Sequence, residues 1–335
     1  MSLLADWQLT GPLLMLWPYR NDVWRGQAQY AQQQVLTMLA AIAPHHPVIL
    51  GIHPPYLHQA LPQLPSGLAW FPIAYDDAWA RDISPLWLTP QQAVVADFNG
   101  WHDLNCNYQR DRRFAKQLTR QHGVRWRSLE LIFEGGMLTT DGAGTAIIHA
   151  KSLMQRNPQL RLAELERRLC QMLGLKRVIW LQQALGADET GGHVDNQVQF
   201  IAADTLVYVQ SPHDPAWNAE VQALQQQPWA QAYRWIALPA AQTWQDDAAL
   251  FHDVRRVPGV MARGQQPLLR SYANLLRLKD VLLVPQFAHA DDALALQTLQ
   301  QALPEVSVVG VDAREFVRAG GGPHCMTTVL PSLSR

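Results

Sequence analysis

The sequence predicts an α/β fold, because an amphipathic helix is followed by a short β-branched strand at three places in the chain. Helical spacing of apolar residues and compact runs of Val, Ile and Leu are the two signals for these elements. The predicted pairs of helix and strand are 27–42 and 47–52, 160–173 and 177–181, and 291–303 and 306–311. Repeated helix-to-strand steps are typical of helices that cover the faces of a sheet.

Helix-breaking residues define where each predicted helix ends. The first helix ends before Pro44, and the third ends before Pro304. Gly174 follows the second helix and is expected to adopt the left-handed conformation that commonly ends a helix. No Gly/Ser-rich linker or long run of like charges divides the chain, so we expect a single domain spanning 1–335.

Composition favours a small-molecule ligand. The 335 residues are 48% apolar, which is enough to bury a large core. The 27 Lys and Arg against 28 Asp and Glu give a formal charge of −1. A nucleic-acid binder normally carries a basic surplus that displaces counterions from phosphates, so we expect no nucleic-acid partner.

Cysteine usage and the N-terminal segment favour the cytoplasm. Cys106, Cys170 and Cys325 form no CxxC pair, so neither a disulfide framework nor a thiolate zinc site is indicated. Cys170 lies on the second predicted helix and is expected in the core. Polar residues interrupt the apolar start of the chain, which makes a poor secretory signal, and no apolar run is long enough to span a bilayer. We therefore expect a soluble cytoplasmic protein without a membrane partner.

Five segments place Asp, Glu, His, Asn or Cys beside glycine or proline, outside any helical period. Loops held on a rigid scaffold are where functional sites are usually built. The segments are 75–85, 133–145, 188–196, 271–274 and 320–327. Their spacing along the chain resembles that of repeated modules.

Cys325, His193 and Asp195 are candidates for nucleophilic and acid/base chemistry. Cys325 follows three glycines, a proline and His324, and is either a buried small hydrophobe or a nucleophile activated by a nearby base. His193 and Asp195 lie two apart, so in an extended segment both side chains point into one cavity; a histidine with only a structural hydrogen bond is the simpler alternative. These side chains together with His324 are also metal-ligand types, although no HExxH or paired CxxC spacing supports a metal.

Acidic residues beside an aromatic surface predict a cationic substrate. Asp82 lies three residues after Trp79, and Asp76 is just upstream. A carboxylate binds guanidinium through paired charge-assisted hydrogen bonds, and an indole face attracts it further. Together with Asp195 and Glu134 these residues would form a strongly anionic pocket. The alternative is that the loop is a solvated turn with no binding role.

The ordered motifs WxRDxxP, FNGW, EGGxxxxDGxGT, TxGHxD, SYxN and GGxxHC resemble the agmatine deiminase family and its relatives, the bacterial-type peptidylarginine deiminases of the pentein fold. The matching residues run from Trp79 to Cys325. The resemblance implies an α/β-propeller of five pseudo-symmetric ββαβ modules around a central channel. It also implies a role for each candidate residue. Cys325 is expected to be the nucleophile, His193 the general acid/base, Asp82 and Asp195 the guanidinium-binding carboxylates, Glu134 the carboxylate that orients His193, Asn274 a neighbour of the thiol, and Asp76 and Trp79 substrate contacts.

Three segments depart from the family pattern. The family's FNGWG loop ends in His102 here, and the EGG segment continues with Met137 in place of the usual histidine. The last motif, 320–325, is one residue shorter than the GGGNIHC of agmatine deiminases. These differences weaken agmatine itself as the substrate while leaving the chemical core intact.

The reaction implied is hydrolysis of the guanidinium of agmatine to N-carbamoylputrescine and ammonia through a covalent intermediate on Cys325. No cofactor is required, and the carboxylates should couple thiolate formation to binding of the cationic substrate. The alternatives are deimination of peptidyl or free arginine, an amidinotransferase, a catalytically silent guanidine-binding protein and a metallohydrolase. A homodimer is the expected assembly.

Overall fold

The computed structural model describes residues 1–332 and confirms the α/β class. The strands are β1 (Leu13–Leu16), β2 (Val48–Ile52), β3 (Ala69–Pro72), β4 (Leu86–Thr89), β5 (Gln92–Asp97), β6 (Arg125–Ile132), β7 (Leu138–Thr140), β8 (Thr145–His149), β9 (Arg177–Leu181), β10 (Val198–Ala202), β11 (Thr205–Tyr208), β12 (Arg234–Ala237), β13 (Gln242–Trp244), β14 (Leu268–Arg270), β15 (Leu276–Arg277), β16 (Val281–Gln286), β17 (Ser307–Asp312) and β18 (Thr327–Val329). The helices are α1 (Gln29–Ile42), α2 (Leu57–Ala60), α3 (Ala80–Ile83), α4 (Gly100–Asp103), α5 (Asp111–Gln121), α6 (Ala150–Arg156), α7 (Leu162–Leu173), α8 (Pro215–Gln225), α9 (Asp292–Ala302) and α10 (Arg314–Arg318).

The three predicted helix-to-strand steps are confirmed as α1 and β2, α7 and β9, and α9 and β17, with every boundary within two residues of its prediction. α1 begins later than predicted because Gln27 and Ala28 have left-handed φ values of 51° and 70°. Gly174 ends α7 in the left-handed conformation, as predicted, with φ 65°.

Within residues 1–332 the strands form six small sheets, and five of them share one pairing order. Two antiparallel strands are followed by a helical connection and a third strand that is parallel to the second. Four such sheets are β4–β5–β6, β7–β8–β9, β10–β11–β12 and β15–β16–β17. In the fifth, β18 pairs antiparallel with β1, and β1 is parallel to β2, which also pairs with β3. The first and last strands of the described chain therefore share a sheet.

The chemically distinctive loops occupy the same position in each of these sheets. Each loop comes directly before the first strand of one antiparallel pair. Asp82 precedes β4, Glu134 precedes β7, His193 precedes β10, Asn274 precedes β15, and Cys325 precedes β18. The module-like spacing of the motifs thus reflects the length of one such unit of strands and helix.

The core around these loops is apolar and divides into three clusters. The largest contains β1, which is buried along its whole length, and this explains why Leu13–Leu16 is a continuous apolar run. Trp79 and Cys325 also belong to this cluster. Nothing in residues 1–332 forms a helix that is both long and apolar enough to cross a bilayer.

Candidate active site

The loop that carries Cys325 depends on glycines that approach other side chains closely. A Cβ added at Gly321 would lie 2.5 Å from the Trp79 ring, and one at Gly322 would lie 2.4 Å from Asn274 Oδ1. Real Cβ atoms do not approach other atoms this closely, so the two positions need glycine. The glycine run therefore seats Cys325 against Trp79 and Asn274.

The Cys325 thiol is only 5% exposed and lies among polar groups. Asn274 Nδ2 donates a hydrogen bond to Sγ at 3.1 Å, and Sγ lies 3.7 Å from Asp195 Oδ2. Burial, together with the charges of Asp195 and Asp82, raises the pKa of the thiol well above its usual range. The thiol is therefore protonated near neutral pH unless a positive charge enters the site.

His193 is buried between two carboxylates. Its backbone N–H donates to Asp188 Oδ2 at 2.7 Å, which fixes the loop. The ring Nε2 lies 2.9 Å from Glu134 Oε2, and Nδ1 lies 3.9 Å from Asp82 Oδ1. Burial alone would lower the pKa of His193, but the charge of Asp82 and the hydrogen bond to Glu134 raise it to about 10. His193 is therefore an imidazolium that holds a proton inside the site.

Glu134 is held by a buried arginine that sequence reasoning missed. Arg156 Nε and Nη2 donate to Oε1 and Oε2 of Glu134 at 3.0 and 3.1 Å, and Nη2 also donates to the Thr190 carbonyl at 2.9 Å. Burial would raise the pKa of Glu134, but the charge of Arg156 and the hydrogen bond from His193 lower it. Arg156 ends α6 and lies outside every motif, so no sequence signal marked it.

Asp82 is oriented by two donors. Gly136 N donates to Oδ1 at 2.8 Å, and Trp101 Nε1 donates to Oδ2 at 2.8 Å. Burial is the main reason that the pKa of Asp82 is raised. The EGG and FNGW motifs therefore share a purpose, because each supplies one hydrogen bond to this carboxylate.

Asp195 is fully buried and has one free oxygen. His324 Nδ1 lies 2.8 Å from Oδ2, whereas Oδ1 has no hydrogen-bond partner among the described residues. Burial would raise the pKa of Asp195, but the hydrogen bond and charge of His324 lower it. Asp195 is therefore an ionised carboxylate with an unused acceptor atom, which is costly unless a ligand supplies a donor.

Trp79, Asp82, His193 and Cys325 line a single cavity, the Cys325 cavity. The thiol, the imidazole, one carboxylate and the indole predicted from separate motifs thus meet in one hollow. The Trp79 ring packs against Trp24 with centroids 5.0 Å apart. The arrangement can bind a planar cation and offers it a nucleophile and a proton donor.

Three further charged side chains line the Cys325 cavity. Two are the carboxylates Asp77 and Glu189, and one is the guanidinium of Arg263. Arg263 Nη1 donates to both oxygens of Glu189, at 2.9 and 2.8 Å. Sequence reasoning did not single out either residue. Glu189 lies in the 188–196 segment but outside its TxGHxD motif, and Arg263 lies outside all five segments.

Asp76 lies apart from this group. Its two carboxylate oxygens accept hydrogen bonds from the Arg110 side chain and backbone at 2.7 and 2.6 Å, and it is not among the residues that line the Cys325 cavity. Its neighbour Asp77 lines the cavity instead. The predicted contact between Asp76 and substrate therefore has no geometric support, whereas Asn274 lies beside the thiol as predicted.

The altered FNGW loop has an unusual backbone. Trp101, His102 and Asp103 all have positive φ, at 57°, 54° and 74°. The Asn99 side chain accepts a hydrogen bond from His102 N at 3.1 Å and holds the turn. His102, where the family has glycine, therefore occupies a left-handed position that glycine adopts more easily.

Metal-ligand side chains are not grouped for coordination. In the part of the chain that the structure describes, no three His, Cys, Asp or Glu side chains are placed so that they could hold one metal ion. The geometry around Cys325 instead pairs each imidazole with a carboxylate.

Comparisons with known proteins place the chain in one family. Residues 2–331 match the Porphyromonas-type peptidyl-arginine deiminase family. A Yersinia pseudotuberculosis protein named "Putative agmatine deiminase" is 33% identical, with 98% of this chain and 94% of the relative covered. The solved structure of an agmatine deiminase of Enterococcus faecalis superposes with a TM-score of 0.93 at 26% identity, covering 99% of this chain and 96% of that one.

A third similar protein carries a different enzyme name. A structure named "Putative Arginine Deiminase" from Porphyromonas gingivalis superposes with a TM-score of 0.84 at 27% identity, covering 99% of this chain and 98% of that one. The neighbours are agmatine and peptidylarginine deiminases of the pentein superfamily. The chain therefore belongs to the Porphyromonas-type peptidyl-arginine deiminase family of the pentein superfamily.

Proposed function

We propose that this protein hydrolyses the guanidinium group of agmatine to give N-carbamoylputrescine and ammonia. The observation that carries the proposal is that Cys325, His193 and Asp82 line one cavity, with the buried Asp195 carboxylate 3.7 Å from Cys325 Sγ. A hydrolase acting on the C–N bonds of linear amidines also agrees with the names of its relatives.

In this proposal the substrate guanidinium lies between Asp82 and Asp195. The free Oδ1 of Asp195 accepts one substrate N–H, and Asp82 accepts from the other side. Such paired, charge-assisted hydrogen bonds hold the flat cation with its central carbon facing Sγ. The bound cation lowers the pKa of the thiol, which then loses its proton to solvent.

The thiolate attacks the central carbon and forms a C–S bond. His193 gives its proton to one terminal nitrogen, and the C–N bond breaks as ammonia leaves. The product of this half-reaction is a cationic amidino thioether on Cys325. His193 is now neutral and keeps its hydrogen bond to Glu134.

Neutral His193 then takes a proton from a water molecule, which attacks the same carbon. The C–S bond breaks and the thiolate leaves. The hydroxyl group of the product loses its proton to solvent, and the released ammonia takes up a proton from solvent to become ammonium. The net reaction joins one guanidinium and one water to give one ureido group and one ammonium ion. Atoms and charge balance without a cofactor.

The charges of the cavity wall favour a cationic tail. Besides Asp82, the wall carries two carboxylates, Asp77 and Glu189, and one guanidinium, Arg263. The distal ammonium of agmatine would gain from the acidic surplus. To form an ion pair with Glu189, this ammonium would have to displace Arg263, which donates to both oxygens of Glu189.

Arginine or an arginyl peptide is the second candidate substrate, and Arg263 is the observation that favours it. Its Nε is buried without a partner in the described residues, and a substrate carbonyl or carboxylate could accept a hydrogen bond from this atom. The Porphyromonas gingivalis relative carries the name of an arginine deiminase.

The repeated pairing order supports a propeller. Five sheets place an antiparallel pair before a parallel third strand, and each is preceded by one of the functional loops. The proposed arrangement is five ββαβ modules around a central channel, with the loops meeting at the Cys325 cavity.

A substrate panel tests the function. Agmatine, arginine, an arginyl peptide and simple guanidines are assayed for ureido product and ammonia, with and without an added amine to detect amidino transfer. Wild type is expected to prefer agmatine, Cys325→Ser to be inactive, and Cys106→Ser to match wild type because Cys106 is exposed and does not line the Cys325 cavity. If wild type converts no guanidine, the proposal is wrong.

A further inference from the structure

Asp195 is supported from behind by a second histidine. His324 Nδ1 lies 2.8 Å from Asp195 Oδ2. The backbone N–H of His324 donates to Asn274 Oδ1 at 3.0 Å, so the loop beneath the ring is also fixed. The bond to Oδ2 decides where the free Oδ1 points.

The other ring nitrogen of His324 faces an aspartate from the start of the chain. Nε2 lies 3.4 Å from Asp6 Oδ2, and Asp6 accepts two hydrogen bonds from Arg81, at 3.1 and 2.7 Å. Burial would raise the pKa of Asp6, but the charge of Arg81 and the hydrogen bond from His324 lower it. Asp6, Asp195 and Arg81 are thus the charged groups around the ring.

Asp6 acts from a place that substrate does not reach. Asp6, Arg81 and His324 line a second cavity, the Asp6 cavity, which shares no lining residue with the Cys325 cavity. From this cavity Asp6 contacts the catalytic loops through two side chains, His324 and Arg81. Arg81 is adjacent in sequence to Asp82, and its backbone N–H donates to the Cys325 carbonyl at 3.1 Å.

We infer that His324 and Asp6 are positioning residues that hold Asp195 with Oδ1 directed at the substrate guanidinium. This inference rests on the proposed deiminase function. One carboxylate lies at each ring nitrogen of His324, so a proton on Nδ1 is directed at Asp195 Oδ2 while Nε2 faces Asp6. The opening segment of the chain thereby controls a carboxylate that lies 189 residues further along.

Two substitutions of His324 separate its two nitrogens. The amide nitrogen of Asn lies near the position of Nδ1 and that of Gln near Nε2, so His324→Asn keeps a donor to Asp195 whereas His324→Gln loses it. We expect kcat/KM for agmatine to stay within about fivefold of wild type in His324→Asn. In His324→Gln we expect a loss of about 100-fold, mainly through KM. Equal losses in the two variants would overturn the inference.

A double-mutant cycle tests Asp6 and also covers the case in which His324→Gln does not fold. Asp6→Asn is expected to lower kcat/KM about threefold in the wild type and to have no further effect in His324→Asn, because the route through Nε2 is then absent. Additive losses would mean separate structural roles and would contradict the inference. Absence of turnover by wild type would instead refute the proposed function, and with it this role.

Discussion

The site contains two pairs in which an imidazole is hydrogen-bonded to a carboxylate. In one pair the carboxylate orients the imidazole, and in the other the imidazole orients the carboxylate. In the first, Glu134 holds His193, and the pKa of the histidine is raised to about 10. In the second, His324 holds Asp195, and the pKa of the carboxylate is lowered. In the first pair the imidazole lines the Cys325 cavity, whereas in the second pair the carboxylate lies 3.7 Å from Cys325 Sγ.

The two pairs differ in the charged residues that contact their outer members, Glu134 and His324. Arg156 stands behind Glu134 and is almost fully buried, so Glu134 stays charged and its histidine keeps a proton. Behind His324 stand Asp6 and Arg81, which are more exposed. The first pair is built to hold a proton and the second to hold a negative charge.

The largest expected effect is on His193, which supplies the proton. His193→Gln should lower kcat by roughly 10²- to 10⁴-fold with little change in KM, because a general acid acts in the chemical step. Steady-state kinetics with agmatine measures both constants. His46→Gln is the control, since His46 is also buried but bonds only to the Gly11 carbonyl among the described residues. If His193→Gln raises KM and leaves kcat unchanged, His193 positions the substrate, as proposed for the Asp195 that His324 holds, and is not the proton donor.

The two arginines should differ in their contribution to stability. Arg156→Met leaves the buried Glu134 carboxylate without its bidentate partner and should lower the free energy of unfolding by about 3–5 kcal/mol. Arg81→Met should cost about 1–2 kcal/mol, because the side chains of Arg81 and Asp6 are 12% and 17% exposed. Urea unfolding measures both. Equal losses of unfolding free energy in the two variants would show that Arg156 and Arg81 stabilise their carboxylates to the same extent.

The protonated pair should make stability depend on pH. The pKa of His193 is about 10 in the folded state against about 6.5 unfolded, so its contribution is complete below about pH 6.5 and is lost as pH rises towards 10. The difference in free energy of unfolding between wild type and His193→Gln should therefore shrink over this window. Asp195 has the opposite sign, because its lowered pKa gives a contribution that is lost only in acid. A difference that does not change with pH would show that His193 is neutral in the folded protein.

A cation in the site should lower the pKa of the Cys325 thiol. The rate of alkylation by iodoacetamide, followed against pH, reports thiolate formation, and Cys106→Ser removes the exposed competitor. A non-reactive amidinium analogue should shift the midpoint to lower pH, because it offsets the charges of Asp82 and Asp195. An unchanged midpoint at saturating analogue would refute the coupling.

The smallest expected effect is on the stability contributed by His102, which belongs to neither imidazole–carboxylate pair. His102→Gly should raise the free energy of unfolding by about 1 kcal/mol, because glycine adopts φ near 54° without the cost paid by other residues. His102→Ala is the matched control, since it removes the imidazole and keeps the Cβ. If the alanine variant is stabilised equally, the backbone is not the cause.

The sequence was informative where chemistry is concentrated in short motifs. Five loops carried Asp82, Glu134, His193, Asn274 and Cys325, and all five lie together because each precedes the same strand of its sheet. Helical spacing and helix-ending residues were enough for α1, α7 and α9. The expected homodimer and cytoplasmic location stay predictions.

Residues that act through tertiary contacts were not visible in the sequence. Arg156 reaches Glu134 from the end of α6, and Asp6 reaches His324 from the other end of the chain. Neither spacing nor composition reports such a contact. The predicted substrate contact of Asp76 stays a prediction; in the structure its carboxylate accepts a hydrogen bond from Arg110.

The central claim is that Cys325 becomes covalently attached to the substrate carbon. The most direct measurement is the intact mass of the wild type quenched with acid during turnover of agmatine, followed by peptide mapping. We predict a mass increase equal to agmatine minus ammonia on the peptide that contains Cys325, and no increase in Cys325→Ser. An unmodified Cys325 in wild type that turns over agmatine would contradict the account.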